Sequence, residues 1–179
     1  MKKFRMIISA FLTAVTICSI MTTVSATESQ PEIDFGTPIK VTEYIDEYGN
    51  HVVEEIYVAL VSGTIGGSNA GTAPYSEDDS GEGWFQKSKY ITNSKNESTC
   101  TIRAYFTWGD GNVTVCDPIG WTDIGSTATT VYDEECTTGT GGIFTKNAYA
   151  KYSFKTKNAF GITQSDSIKL TVNAKGEAS

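Results

Sequence analysis

The chain contains a single histidine, His51. A serine or cysteine nucleophile needs a base within hydrogen-bond reach, and His51 follows a turn-forming tetrad, Glu47 to Asn50, where a solvated strand end is the simpler role. Zinc requires clustered Cys and His ligands, whereas Cys18, Cys100, Cys116 and Cys136 are dispersed. Glycoside hydrolysis needs only two carboxylates at a fixed separation. With 21 acidic residues some pair is unavoidable, but no spacing marks one. The acidic runs Glu77, Asp78, Asp79 and Glu82, and Asp133 to Glu135, do not follow the twelve-residue calcium-loop pattern. No catalytic residue, metal ligand or cofactor is therefore assigned.

Aromatic residues carry the remaining chemistry, at 11% of the chain. Tyr105 and Tyr149 fall on the polar parity of strand-like stretches, and Trp121 follows Pro118 and Gly120 in a turn-like phrase. Exposed rings of this kind stack on sugar rings or anchor a protein partner, so Trp121, Tyr105 and Tyr149 are the ligand-binding candidates. Asn96-Glu97-Ser98 and Asn112-Val113-Thr114 match the glycosylation acceptor pattern, which has no consequence in a bacterial host.

The first 26 residues read as an export signal. Lys2, Lys3 and Arg5 form a basic start, Ile7 to Met21 an apolar stretch too short to span a bilayer, and Val24, Ser25 and Ala26 a small-residue cleavage site. Secretion follows, with no membrane insertion after cleavage. Ile17 before Cys18 disfavours a lipoprotein, and Val172 to Ser179 carries no wall-sorting signal. Of the remaining residues 11 are basic and 21 acidic, a net charge of −10. That excludes a sheath for nucleic acid or for an anionic membrane. The same part holds two Leu and 21 Thr, a composition for strands rather than helices.

The elements that must position these groups are short and polar-flanked. Ile39 to Asp46 and His51 to Val61 form two strand-like runs around Glu47-Tyr48-Gly49-Asn50, a hairpin in which Gly49 supplies positive φ. Ser62 to Gly83 is rich in Gly, Ser and acid, without hydrophobic period, and is expected to be a linker. Trp84 to Thr92 sorts its faces poorly because Lys87 and Lys89 share parity with Phe85, as on an edge strand. Thr99 to Trp108 alternates cleanly, with Ile102, Ala104, Phe106 and Trp108 on the core face. Gly109 to Asn112 turns the chain so that Trp108 meets Val113. Thr127 to Tyr132 is a short strand, Thr137 to Gly142 a loop, and Asn147 to Thr156 with Ser167 to Asn173 a closing pair.

About eight short strands of this kind imply an all-β antiparallel sandwich, immunoglobulin-like or jelly-roll-like. The expected organisation is a signal over residues 1–26, a lead and hairpin over 27–61, a linker or loop over 62–83 and the sandwich over 84–179. If Trp108 meets Val113, Cys116 lies opposite Tyr105 and too far from Cys100 to bridge it. Cys116 with Cys136 is the preferred disulfide, closing a loop of about 20 residues worth on the order of 3 kcal/mol. Three reduced thiols, with Cys100 in the core, are the alternative.

The export segment, the phrase Glu43-Tyr44-Ile45-Asp46-Glu47-Tyr48-Gly49-Asn50, the Gly-rich spacer and the closing Lys/Thr-rich strands resemble small secreted β-rich proteins of unknown function from Gram-positive, Clostridia-like bacteria. Such families have no assigned catalytic residues to carry over. The hairpin from Ala104 to Gly120 also resembles those of extracellular sandwich modules appended to secreted enzymes. The expected function is non-enzymatic binding of a cell-wall glycan, a host glycan or an extracellular protein. A secreted effector acting on competing cells is the alternative, and a carboxylate-dependent glycan hydrolase a third.

Overall fold

The computed structural model describes residues 33–65, 80–92, 97–141 and 146–179. The export segment and most of the Gly/Ser-rich stretch lie outside them. Eight strands follow one another: β1 (Lys40–Ile45), β2 (His51–Gly63), β3 (Gly81–Thr92), β4 (Glu97–Gly109), β5 (Asn112–Ile124), β6 (Thr129–Gly141), β7 (Asn147–Asn158) and β8 (Thr163–Asn173). They form two antiparallel sheets, one of order β1-β2-β3-β4-β5 and one of order β6-β7-β8.

The strand alternation that builds the core is the one visible in the sequence. Ile102, Ala104, Phe106 and Trp108 on β4 face Ala148, Ala150, Tyr152 and Phe154 on β7 and Ile168, Leu170 and Val172 on β8, all buried in one cluster. Burying each large apolar side chain contributes about 1.5–3 kcal/mol. The smaller sheet covers only part of the larger. β5 packs on β6 and β7, β4 on β7 and β8, and β3 on β8, while β2 adds Ile56 and Val58 to the core and β1 packs on β2 alone. β1 therefore overhangs the sandwich.

Three expectations about elements need correction. The stretch 62–83 does not separate a hairpin from the rest. β2 runs through Gly63, β3 begins at Gly81, and the two pair along their length inside one unit from Ile33 to Ser179. β3 is consequently an inner strand, not an edge. Its lysines are accommodated because their ammonium groups reach acids at the sheet rim: Lys87 holds Glu54 at 3.1 Å and Lys89 approaches Asp166 at 3.9 Å. Finally, the Thr/Gly stretch 137–141 is strand rather than loop, continuous with β6.

The order within each sheet is sequential. Immunoglobulin-type and jelly-roll sandwiches both use Greek-key connections, so this is a sandwich of two meanders. Its strands are also long, 11 to 13 residues apart from the six of β1.

Local chemistry explains the turns. Asp46 accepts from the N–H groups of Tyr48 and Asn50 at 2.9 and 2.8 Å and from the Asn50 side chain at 2.9 Å. Gly49 takes φ of 79° in the same turn, a value that a β-carbon disfavours. Pro118 makes no turn. It lies at a bulge in β5, where the register against β4 shifts and Asp117 has φ of 49°. β5 is the last strand of its sheet, so the missing proline N–H breaks no ladder on its outer side.

Candidate ligand-binding face

The face of the five-stranded sheet turned away from the core is aromatic. Its side chains fall in rows set by the strand register. One row runs Ile119, Arg103, Gln86 and Tyr57 across β5, β4, β3 and β2. The row on one side is Cys116, Tyr105, Trp84 and Ala59, and on the other Trp121, Thr101, Ser88 and Glu55. Neighbouring strands lie about 4.8 Å apart, so these rows make a continuous platform.

Arg103 is its centre. The guanidinium carbon stands 5.1 Å from the Phe35 ring centroid and 5.3 Å from that of Trp121, in cation–π geometry on both. Its Nε and Nη2 both donate to Gln86 Oε1, at 3.2 and 3.0 Å. Burial lowers its pKa from the usual arginine value, although a guanidinium stays charged. Phe35 comes from the lead ahead of β1, which crosses the platform and also meets Tyr57 edge-on at 6.4 Å. Trp84 and Tyr105 form a second aromatic pair, edge to face at 5.4 Å.

Burial and hydrogen bonds to carboxylates raise two phenols of this face. Burial and a bond to Glu82 push Tyr105 up to about 12. Tyr57 donates to Glu55, and that bond together with burial raises its pKa strongly. On the same face Ser88 and Thr101 are both 2% exposed and share a hydrogen bond of 3.1 Å. Pairing at this depth leaves neither hydroxyl unsatisfied.

The three aromatic candidates separate. Trp121, 38% exposed, lies in mid-strand on β5 rather than in a turn, on the same face as Tyr105. Tyr149 lies on the outer face of the other sheet. Its ring covers Gly139, where a β-carbon would fall 2.7 Å from ring atoms, and Lys169 Nζ caps it at 4.2 Å from the centroid. Both sides of that ring are therefore occupied. Phe35, Trp84, Gln86 and Arg103 were missed as site residues. Arg103 and Trp84 were legible as polar-parity neighbours of Tyr105, but only the β3–β4 pairing places them together.

The cysteines follow the alternative reading. Cys100, Cys116 and Cys136 are free thiols, so the expected Cys116–Cys136 bridge is not formed. The register places Cys116 opposite Tyr105, as expected, and so on the outer face. Cys136 points inward, where its sulfur accepts from the Gly120 N–H. The sheet itself lies between the two.

His51 Nε2 lies 2.6 Å from Glu43 Oε1 on β1. On the smaller sheet an open groove of about 780 Å³ is lined by Asp133, Glu135, Lys151, Ser153, Lys155 and Ser167, and the Lys155–Asp133 ion pair of 2.9 Å belongs to it. Among the described residues no group of three His, Cys, Asp or Glu side chains is arranged to hold a metal. No family model, curated protein or solved structure matches the chain.

Proposed function

We propose that the protein is a non-enzymatic binding module of the extracellular space, and that the outer face of its five-stranded sheet binds a glycan chain of a cell wall or host surface. The observation that supports this reading is Arg103 held between Phe35 and Trp121, with the Trp84–Tyr105 pair beside it. Aromatic faces cover the apolar faces of sugar rings, while Arg103 and Gln86 offer polar groups to hydroxyls between them. Glu55 and Glu82 flank the platform, so a neutral chain suits it better than an anionic one.

Co-sedimentation with insoluble cell walls and a set of insoluble neutral polysaccharides tests the reading. Saturable pelleting is expected, weakened by Trp121→Ala and by Trp84→Ala and unchanged by Tyr149→Ala on the opposite sheet. Pelleting with no matrix transfers the face to a protein partner, and equal loss in all three variants removes the assignment of the face.

A further inference from the structure

Among the described residues β1 is the one strand of the larger sheet that the sandwich does not support: it packs on β2 alone, and all six of its residues are exposed. Yet half of it is apolar or aromatic. Ile39, just ahead of it, is 52% exposed, and Val41, Tyr44 and Ile45 are 54%, 40% and 64% exposed. The β8 edge is built differently. The chain end folds back onto it, with Thr171 and Ser179 exchanging N–H···O bonds of 2.9 and 2.8 Å, and its uncovered part, Thr163 to Ser167, is wholly polar. The edge carries Lys40 and Glu43 and follows Pro38, but its exposed apolar side chains and open backbone groups still make it a template for another strand.

Which backbone groups are open follows from the hairpin. The Asp46 N–H donates to the Asn50 carbonyl at 3.0 Å, and with the β1–β2 register this makes the even-numbered residues of β1 the ones bonded to β2. In an antiparallel ladder the alternate residues point the other way. Val41, Glu43 and Ile45 therefore direct N–H and C=O groups away from β2, to a side that carries no strand among the described residues.

We propose that β1 pairs antiparallel with β1 of a second copy of this chain, about a two-fold axis at Thr42, joining two five-stranded sheets into one of ten. The strand is self-complementary in this register. Val41 meets the partner's Glu43, and Thr42 meets the partner's Thr42. Lys40 falls beside the partner's Tyr44, and within one copy the Tyr44 hydroxyl is bonded to Glu54 Oε1 at 3.0 Å, so each ammonium faces a phenol–carboxylate pair. No like charges stand directly opposite. The two Glu43 carboxylates are diagonal, and each lies 2.6 Å from its own His51. Moving the axis to Glu43 would set two carboxylates face to face, which is unfavourable. A two-fold axis through an antiparallel pair is perpendicular to the sheet, so both aromatic faces look the same way. On the reading above, the dimer is then bivalent, and avidity follows.

The strand is short and the interface small for a stable complex, so association appears as a concentration-dependent mass. Sedimentation of the purified protein, without any glycan, is expected to show the mass rising toward two chains. Thr42→Lys, which sets two ammonium groups opposite each other on a solvent face, should stay monomeric where the unchanged chain is half dimeric, with an unaltered circular dichroism spectrum. Thr42 forms a non-hydrogen-bonded pair with its copy, with Cα atoms about 4.5 Å apart, within disulfide range. In a Cys116→Ser background, Thr42→Cys should cross-link under mild oxidation and Lys40→Cys should not. A single-chain mass at every concentration overturns the proposal, as does a dimer indifferent to Thr42→Lys or cross-linked equally through either cysteine. None of these outcomes bears on whether the aromatic face binds glycan.

Discussion

The ring of Tyr152 occupies the space that a side chain at Gly120 would need: a β-carbon there would fall 2.1 Å from the tyrosine Cγ. Gly120 lies on β5 opposite Ile102, and Tyr152 on β7 opposite Cys136, so the contact joins the two sheets. Tyr152 is 1% exposed, and its hydroxyl is bonded to Glu134 and, at 3.3 Å, to Thr122.

Gly120→Ala is accordingly expected to destabilise the fold through overpacking, by about 1–3 kcal/mol. Tyr152→Phe, which keeps the ring and loses the hydroxyl, should cost about 1 kcal/mol. Urea unfolding of the two variants checks the order. A neutral Gly120→Ala would mean that the sheets stand further apart than described.

Ser88 and Thr101 form the second buried test. Ser88→Ala leaves the Thr101 hydroxyl without its 3.1 Å partner and should cost about 1–3 kcal/mol. The double change Ser88→Ala with Thr101→Val should recover most of that loss, because both members of the buried hydroxyl pair are then removed together. Additive losses in a double-mutant cycle would refute the pairing.

The thiols should react in the order of their exposure. Cys116 is exposed, Cys136 half-buried and Cys100 buried. Burial pushes Cys100 up to about 12, while burial and the neighbouring Asp117 carboxylate raise Cys116 more modestly. A chromogenic thiol reagent at mildly alkaline pH should titrate Cys116 first and Cys100 only on unfolding. Peptide mapping without reduction that found Cys116 joined to Cys136 would reverse this assignment.

Stability should fall on the alkaline side. Burial, followed by bonds to carboxylates, raises Tyr44 and Tyr105 from 10.0 to about 12. The folded chain therefore holds phenolic protons that the unfolded chain releases. Their stabilising contribution is complete below pH 10 and is lost as pH rises through about 12. Thermal unfolding followed across that window should show a falling midpoint, and the double variant Tyr44→Phe with Tyr105→Phe should make the fall shallower, with Tyr57, Tyr152 and Cys100 keeping the rest. An unchanged slope in that variant would assign the alkaline loss to other groups.

What the sequence determined by itself was local. Period-two alternation in β4, β7 and β8 was enough for the core faces, because each such residue chooses its side by its own polarity. The Asp46–Gly49 turn and the Trp108–Val113 register were equally legible, since hairpin chemistry acts over a few residues. Pairing between strands distant in sequence was decided only by the tertiary structure. Lys87 and Lys89 gave β3 the look of an edge, and it became an inner strand because β2 and β4 supplied both ladders and nearby acids took up the ammonium groups. Pro118 looked like a turn because its missing N–H argues against a ladder, and an outermost strand removes that objection. The aromatic face needed both steps. Tyr105 showed a polar-side ring in the sequence and Trp121 a ring in a turn-like phrase, but Arg103 meets Phe35 only because a lead ahead of β1 is drawn across β2 and β3, a contact that no local pattern encodes.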